Sequence, residues 1–144
     1  MDLKYCIAFA LKNPLCFLAT TEDDQPHVRA MLMVSADETG YTFTTLNFKM
    51  LSRQLHQNPK VEVCLYNNAD NLMYSKTMRI CGTIEFIEDP EAMDDLAETR
   101  EKVARISGES IDPHVEIFKI TSGEIHCWSV KDMMKEKQIK HIKF

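Results

Sequence analysis

The sequence predicts a mainly β fold of the α+β kind, a small antiparallel barrel of six or seven strands with helices flanking it. Three observations predict it. Short runs of alternating apolar and polar residues recur along the chain, each bounded by turn-forming clusters. Segments of helical period interrupt them, giving the order helix, three strands, helix, two strands, helix, two strands. A sheet of so few strands also leaves edges that closure into a barrel protects.

Residues 2–12 read as the first helix, with Leu3, Ile7, Ala10 and Leu11 on one face, and Asn13-Pro14 closes it. Leu15 to Thr20 reads as a strand, Glu22 to Gln25 as a turn, and His27 to Ser35 as a second strand. After the turn Asp37-Glu38-Thr39-Gly40, Tyr41 to Thr45 forms a third. Short turns between successive strands imply an antiparallel meander, because parallel neighbours need crossover connections.

The second helix begins near Asn47, whose side chain is placed to cap it. It carries Phe48, Leu51 and Leu55 on its apolar face and ends at Asn58-Pro59. Val61, Val63 and Leu65 then alternate with Glu62, Cys64 and Tyr66. In Tyr74 to Ile87, Met78, Ile80, Gly82, Ile84 and Phe86 share one side, with Gly82 marking a bend or a close backbone contact. Asp89-Pro90 opens a third helix, with Met93, Leu96, Ala97, Arg100 and Ala104 on one face, and Gly108 stops it. Two last strands, Val115 to Ile120 and Glu124 to Ser129, flank a Thr-Ser-Gly turn.

With 144 residues, 44% of them hydrophobic, one core is expected. The formal charge of −5 opposes broad nucleic-acid binding but leaves room for a local phosphate pocket. No apolar run is long enough to span a membrane, and the N-terminus lacks the pattern of a secretory signal. Cysteines at 6, 16, 64, 81 and 127 lack Cys-x-x-Cys spacing, which points to reduced thiols in a cytoplasmic protein and away from zinc.

Phosphate loops, metalloprotease helices and nucleophile elbows are absent. The suggestive feature is the junction from Phe43 to Met50. There a strand ends in Thr44 and Thr45, the chain turns through Asn47, and a helix starts with Lys49 in its first turn. Free N–H groups at such a start favour an anion, to which Thr44, Thr45 and Lys49 add donors and charge. The competing reading is an ordinary capped helix with Lys49 in water. Arg29, set among apolar residues of the second strand, either occupies a partly buried line and needs a carboxylate or phosphate partner, or reaches solvent from an edge.

Cys16-Phe17-Leu18-Ala19-Thr20-Thr21, Gln25-Pro26-His27-Val28-Arg29, Tyr41-Thr42-Phe43-Thr44-Thr45 running into Lys49, and Asn58-Pro59 before a strand recur in a recognisable order. Ile120-Thr121 and Ile125-His126-Cys127-Trp128 follow near the end. In these stretches the chain resembles the FMN-binding split-barrel proteins related to pyridoxamine 5'-phosphate oxidase, in particular their short general-stress-protein-like branch. The resemblance implies one split-barrel domain over residues 1–130, and the basic run from Lys135 to Lys143 marks 131–144 as a basic tail or short terminal element. It also implies a homodimer with FMN in a cleft between the two barrels.

By the same resemblance Arg29 and Lys49 lie at the FMN phosphate, and Thr44 and Thr45 contact the cofactor from the strand end. Asn47 stands where many relatives have serine, and Met31 borders the isoalloxazine ring through its backbone. Trp128 comes from the partner subunit or packs beneath the site. Related folds use deazaflavin or haem. The basic C-terminal substrate motif of true pyridoxamine phosphate oxidases is missing, so vitamin B6 synthesis is not expected. The expected function is FMN-dependent oxidoreduction of a small-molecule substrate, with NAD(P)H or another electron donor. The alternatives are a non-catalytic flavin-binding, electron-carrier or stress-related module, and a cofactor-free interaction protein.

Overall fold

The computed structural model describes residues 1–144. Its strands are β1 (Leu15–Glu22), β2 (Gln25–Leu32), β3 (Ser35–Asp37), β4 (Gly40–Leu46), β5 (Lys60–Tyr66), β6 (Lys76–Ile87), β7 (Val115–Ser129) and β8 (Ile142–Lys143). They form one antiparallel sheet in the order β2-β1-β5-β6-β7-β4-β3, with β8 added on β7. The helices are α1 (Leu3–Lys12), α2 (Met50–Gln57), α3 (Pro90–Asp94) and α4 (Ala97–Ser107). None is long and apolar enough to cross a membrane.

The mainly β, split-barrel expectation holds, and the departures from it are local. The run expected as one strand from His27 to Ser35 is two, because it changes partner midway. Leu32 still pairs with Leu15 of β1, whereas the Met33 amide donates to the Pro14 carbonyl and the Val34 amide to the Thr42 carbonyl of β4. The two ends of the strand order are therefore successive pieces of one chain segment. The barrel closes at Met33 and Val34 and parts on either side of them, leaving the outer edge of β2 without a neighbouring strand.

The two last strands expected around Thr-Ser-Gly are one bent strand, β7, paired along β6 with a register shift at Thr83/Ile84. Gly82 lies opposite Gly123 at this bend. A Cβ on Gly82 would meet the Ser122 carbonyl and the Ile120 side chain, and one on Gly123 would meet the Cys81 carbonyl. These glycines serve close strand approach, the use expected of Gly82, and not a reversal. Gly123 also exchanges both backbone hydrogen bonds with Phe144, so the chain's last residues lie along β7.

Strand alternation sends Leu18, Phe43, Val63, Leu65, Met78, Ile80, Phe118, Ile120 and Ile125 into the core, all fully buried. Each contributes about 1.5–3 kcal/mol. Asp2 caps α1 by accepting from the Tyr5 amide at 2.8 Å, and α1 buries Cys6 and Ala10 against this core. The expected third helix is broken after Asp94 into α3 and α4, and of its predicted face only Leu96 is buried. Arg100 is paired on that face: Asp112 accepts from two of its nitrogens at 2.7 and 2.5 Å, and the Met93 carbonyl accepts from Nη1 at 2.9 Å. Gly108 ends α4 in the left-handed region, at φ 77°.

Candidate cofactor cleft

The parting of the barrel makes a cleft of about 650 Å³, lined by β2 on one side, the end of β4 on the other and the start of α2 below. Its size is ordinary for a small-molecule site. His27, Arg29 and Met31 reach it from β2, Thr44 and Thr45 from β4, and Phe48, Lys49, Met50 and Leu51 from the junction. No carboxylate lines it.

The helix begins later than expected. Its N-cap is Lys49, with extended backbone and no side-chain cap, and Met50 is the first helical residue. Asn47 does not cap it. Its amide oxygen faces His114 Nδ1 at 3.3 Å and its backbone N–H donates to the His114 carbonyl, so a distant loop takes up the side chain. The Met50, Leu51 and Ser52 amides are left without a capping acceptor at the cleft floor. The helix itself is fixed from beneath, since Ser52 Oγ donates to Glu116 of β7 at 2.5 Å and His56 Nε2 lies 2.9 Å from the same carboxylate.

Thr45 is 6% exposed, and its hydroxyl is buried without any hydrogen-bond partner. A buried hydroxyl left unpaired costs about 1–3 kcal/mol. An anion in the cleft would relieve that cost, together with the uncapped amides and the Lys49 charge.

Arg29 is half-buried at the cleft wall and has no carboxylate partner. Its Nη1 donates to Thr20 Oγ1 at 2.9 Å and to the Leu18 carbonyl at 3.3 Å, and its Nη2 donates to Gln54 Oε1 at 2.5 Å. Burial lowers its pKa from the ordinary arginine value without removing its charge. Thr20 and Gln54 are the residues that sequence reasoning missed. Both signals were present: Thr20 shares strand parity with buried Cys16 and Leu18, and Gln54 lies on the helix face of Leu51 and Leu55.

Away from Lys49 and Thr45 the cleft is apolar. Val28, Phe48 and Met50 are more than half exposed, with Ala30 and Met31 beside them. The outer edge of β2 presents unpaired backbone groups along this surface. The residues present thus fit a ligand with one anionic end and one flat, hydrogen-bonding apolar end.

Trp128 lies elsewhere. It pairs with Thr77 on β6 and borders a hollow with Met1, Tyr5, Lys76, Ser129 and Asp132. It belongs to the outer sheet face, whose rows run across five strands. One such row is His126, Arg79, Cys64, Phe17 and Ala30. At the β1–β2 end that face is apolar, with Leu15, Phe17, Val28 and Leu32 all exposed, and it is continuous with the cleft through Val28 and Ala30.

A family model described as pyridoxamine 5'-phosphate oxidase matches residues 5–129. The chain belongs to this family. No curated protein matches it. Among solved structures, the pyridoxamine 5'-phosphate oxidase-like fold is shared with a NimC/NimA family protein from Clostridium acetobutylicum. That pair is 24% identical, with a TM-score of 0.75 over 99% of this chain and 93% of the other. General stress protein 26 from Bacillus anthracis is 17% identical, with a TM-score of 0.71 over 100% of both chains. A FAD-binding protein from Mesorhizobium loti is 16% identical, with a TM-score of 0.69 over 88% of this chain and 94% of the other. At these identities the likeness is one of fold.

Proposed function

We propose that this chain binds FMN and acts as an oxidoreductase on a small-molecule substrate, with NAD(P)H or another donor reducing the flavin. The observation that carries the reading is the orphaned Thr45 hydroxyl beside an uncapped helix start, in a cleft that holds Arg29 and Lys49 and no carboxylate. Family membership and the fold shared with a FAD-binding protein support a flavin.

In this reading Arg29, Lys49, Thr45 and the first amides of α2 hold one phosphate group. Thr44 contacts the ribityl side. The free edge of β2 at Met31 orients the polar rim of the ring, and Val28, Phe48 and Met50 keep water from its face. Bound FMN supplies the electron and hydride chemistry. His27 is the one imidazole lining the cleft, and no carboxylate stands beside it, so the chain chiefly binds and orients.

Two copies are proposed to pair through the outer face of β1 and β2. A second copy seated there would cover the apolar wall beside Val28 and Ala30, and the partner would present its own Trp128 face to the cleft. Asn47, held by His114, has no contact with the cofactor in this reading.

The test combines a flavin titration with a turnover assay. Wild type binds FMN and oxidises NAD(P)H with a suitable acceptor, and Lys49→Ala weakens FMN by about tenfold while leaving the fold intact. Bound flavin without turnover of any donor would replace the oxidoreductase by an electron-carrier or binding module. No flavin binding at all would leave a cofactor-free interaction protein.

A further inference from the structure

Arg29 is held by neutral groups although a carboxylate lies one side chain away. Gln54 is fully buried on α2, and its Oε1 accepts from Arg29 Nη2 at 2.5 Å and from Thr20 Oγ1 at 2.7 Å. On the other side of the same amide, Nε2 donates to Glu22 Oε2 at 3.4 Å. Glu22 is itself engaged by Arg53 through Nε at 2.9 Å and Nη2 at 3.1 Å. The order across the cluster is Arg53, Glu22, Gln54, Arg29, with the Gln54 amide dipole lying between an anion and a cation.

That orientation is forced. Turned over, the amide would set its NH₂ against a guanidinium and its oxygen against a carboxylate, two repulsions in place of two bonds. Thr20 completes the arrangement by accepting from Arg29 Nη1 while donating to Gln54, so the buried hydroxyl and amide are both satisfied. Three Arg29 hydrogen bonds go to Leu18, Thr20 and Gln54, leaving Nε–H and the second Nη2 hydrogen without a protein partner on a side chain that lines the cleft.

We propose that Gln54 is a positioning residue for anion binding, a neutral spacer that aims Arg29 into the cleft and keeps Glu22 off it, so that the guanidinium charge is left for the phosphate group of the ligand. The inference rests on the reading of Arg29 as a phosphate ligand. A glutamate at this position would lie directly on Arg29, form the ion pair that the present structure avoids, and compete with the incoming phosphate for the same charge. A glutamine presents the same shape and the same acceptor without the competition.

FMN and riboflavin differ only in the phosphate, so titrating both separates an effect on Arg29 from a general loss of the cleft. Flavin fluorescence is followed on titration into wild type, Gln54→Glu, Thr20→Val and Glu22→Gln, with circular dichroism as the folding control. Gln54→Glu is expected to weaken FMN by about tenfold or more and riboflavin by less than about twofold. Glu22→Gln is expected to move both by less than about twofold, because the spacer already separates it from Arg29. A wild type that prefers FMN, with that preference unchanged in Gln54→Glu or with both flavins weakened equally, overturns this inference alone. A wild type that binds both flavins alike overturns the cofactor reading and this inference with it. Should Gln54→Glu fail to fold, Thr20→Val decides, since it removes a neutral partner of Arg29 without adding charge. The spacer stands if FMN alone is weakened, by about threefold or more, and falls if FMN is unaffected or riboflavin falls with it.

Discussion

Replacing Thr45 by valine is expected to move stability and ligand affinity in opposite directions. Valine has nearly the shape of threonine, and the hydroxyl it removes is buried without a partner in the protein on its own. Removing an unsatisfied buried hydroxyl returns about 1–2 kcal/mol to the flavin-free protein. For a chain of this size that raises Tm by about 2–6 °C. The same hydroxyl is proposed to donate to the phosphate, and a hydrogen bond to a charged group contributes about 1.5–3 kcal/mol. FMN affinity should therefore fall about 10- to 150-fold, with riboflavin affected far less. Thermal unfolding of the flavin-free protein and a flavin titration measure the two sides. A flavin-free variant less stable than wild type, or one with unchanged FMN affinity, would refute the reasoning.

Other substitutions probe the fold, the sheet surface and the proposed interface. Gly123→Ala drives a Cβ into the Cys81 carbonyl and the Gly82 backbone, so it should destabilise by about 3 kcal/mol in urea unfolding, or prevent folding. His126 accepts from Arg79 Nε at 2.8 Å and stacks on His141, with ring centroids 4.9 Å apart. Burial, then Arg79 and His141, lower its pKa below the ordinary histidine value, against the opposing pull of Glu62 and Glu136. Its contribution is fully present above the unfolded value of about 6.5 and is lost as pH falls, because the unfolded chain then takes up a proton that the folded chain resists. His126→Gln, which keeps an acceptor for Arg79, should make the fall in Tm between about pH 7 and about pH 5 shallower; an unchanged profile would count against this source. Phe17→Asp on the exposed β1–β2 face should convert a species of twice the 16.6 kDa chain mass into single chains by light scattering. A wild type already at the single-chain mass would contradict the proposed pairing.

Strand parity was legible because one face of each strand meets a single core, as the burial of Val61, Val63, Leu65, Met78 and Ile80 shows. What escaped depended on distant partners. Asn47 has the composition of a helix cap, but His114 takes its side chain and the helix starts at Met50, which leaves Phe48 outside the buried face at 68% exposure. Thr-Ser-Gly has the composition of a turn, but the glycine serves the close crossing with Gly82, a contact between residues 41 positions apart that no local signal reports. The need for a partner at Arg29 was legible from its apolar neighbours. That the partners would be a threonine and a glutamine required knowing that α2 packs against β1 and β4 and so brings Gln54 to Arg29.

The most direct test of an FMN cleft is the visible spectrum of the purified protein after incubation with FMN and removal of free flavin by gel filtration. A flavin band that stays with the protein at about one per chain, and is lost in Arg29→Leu with Lys49→Ala, is the predicted result. Protein that emerges colourless after saturation with FMN, while remaining folded, would contradict it.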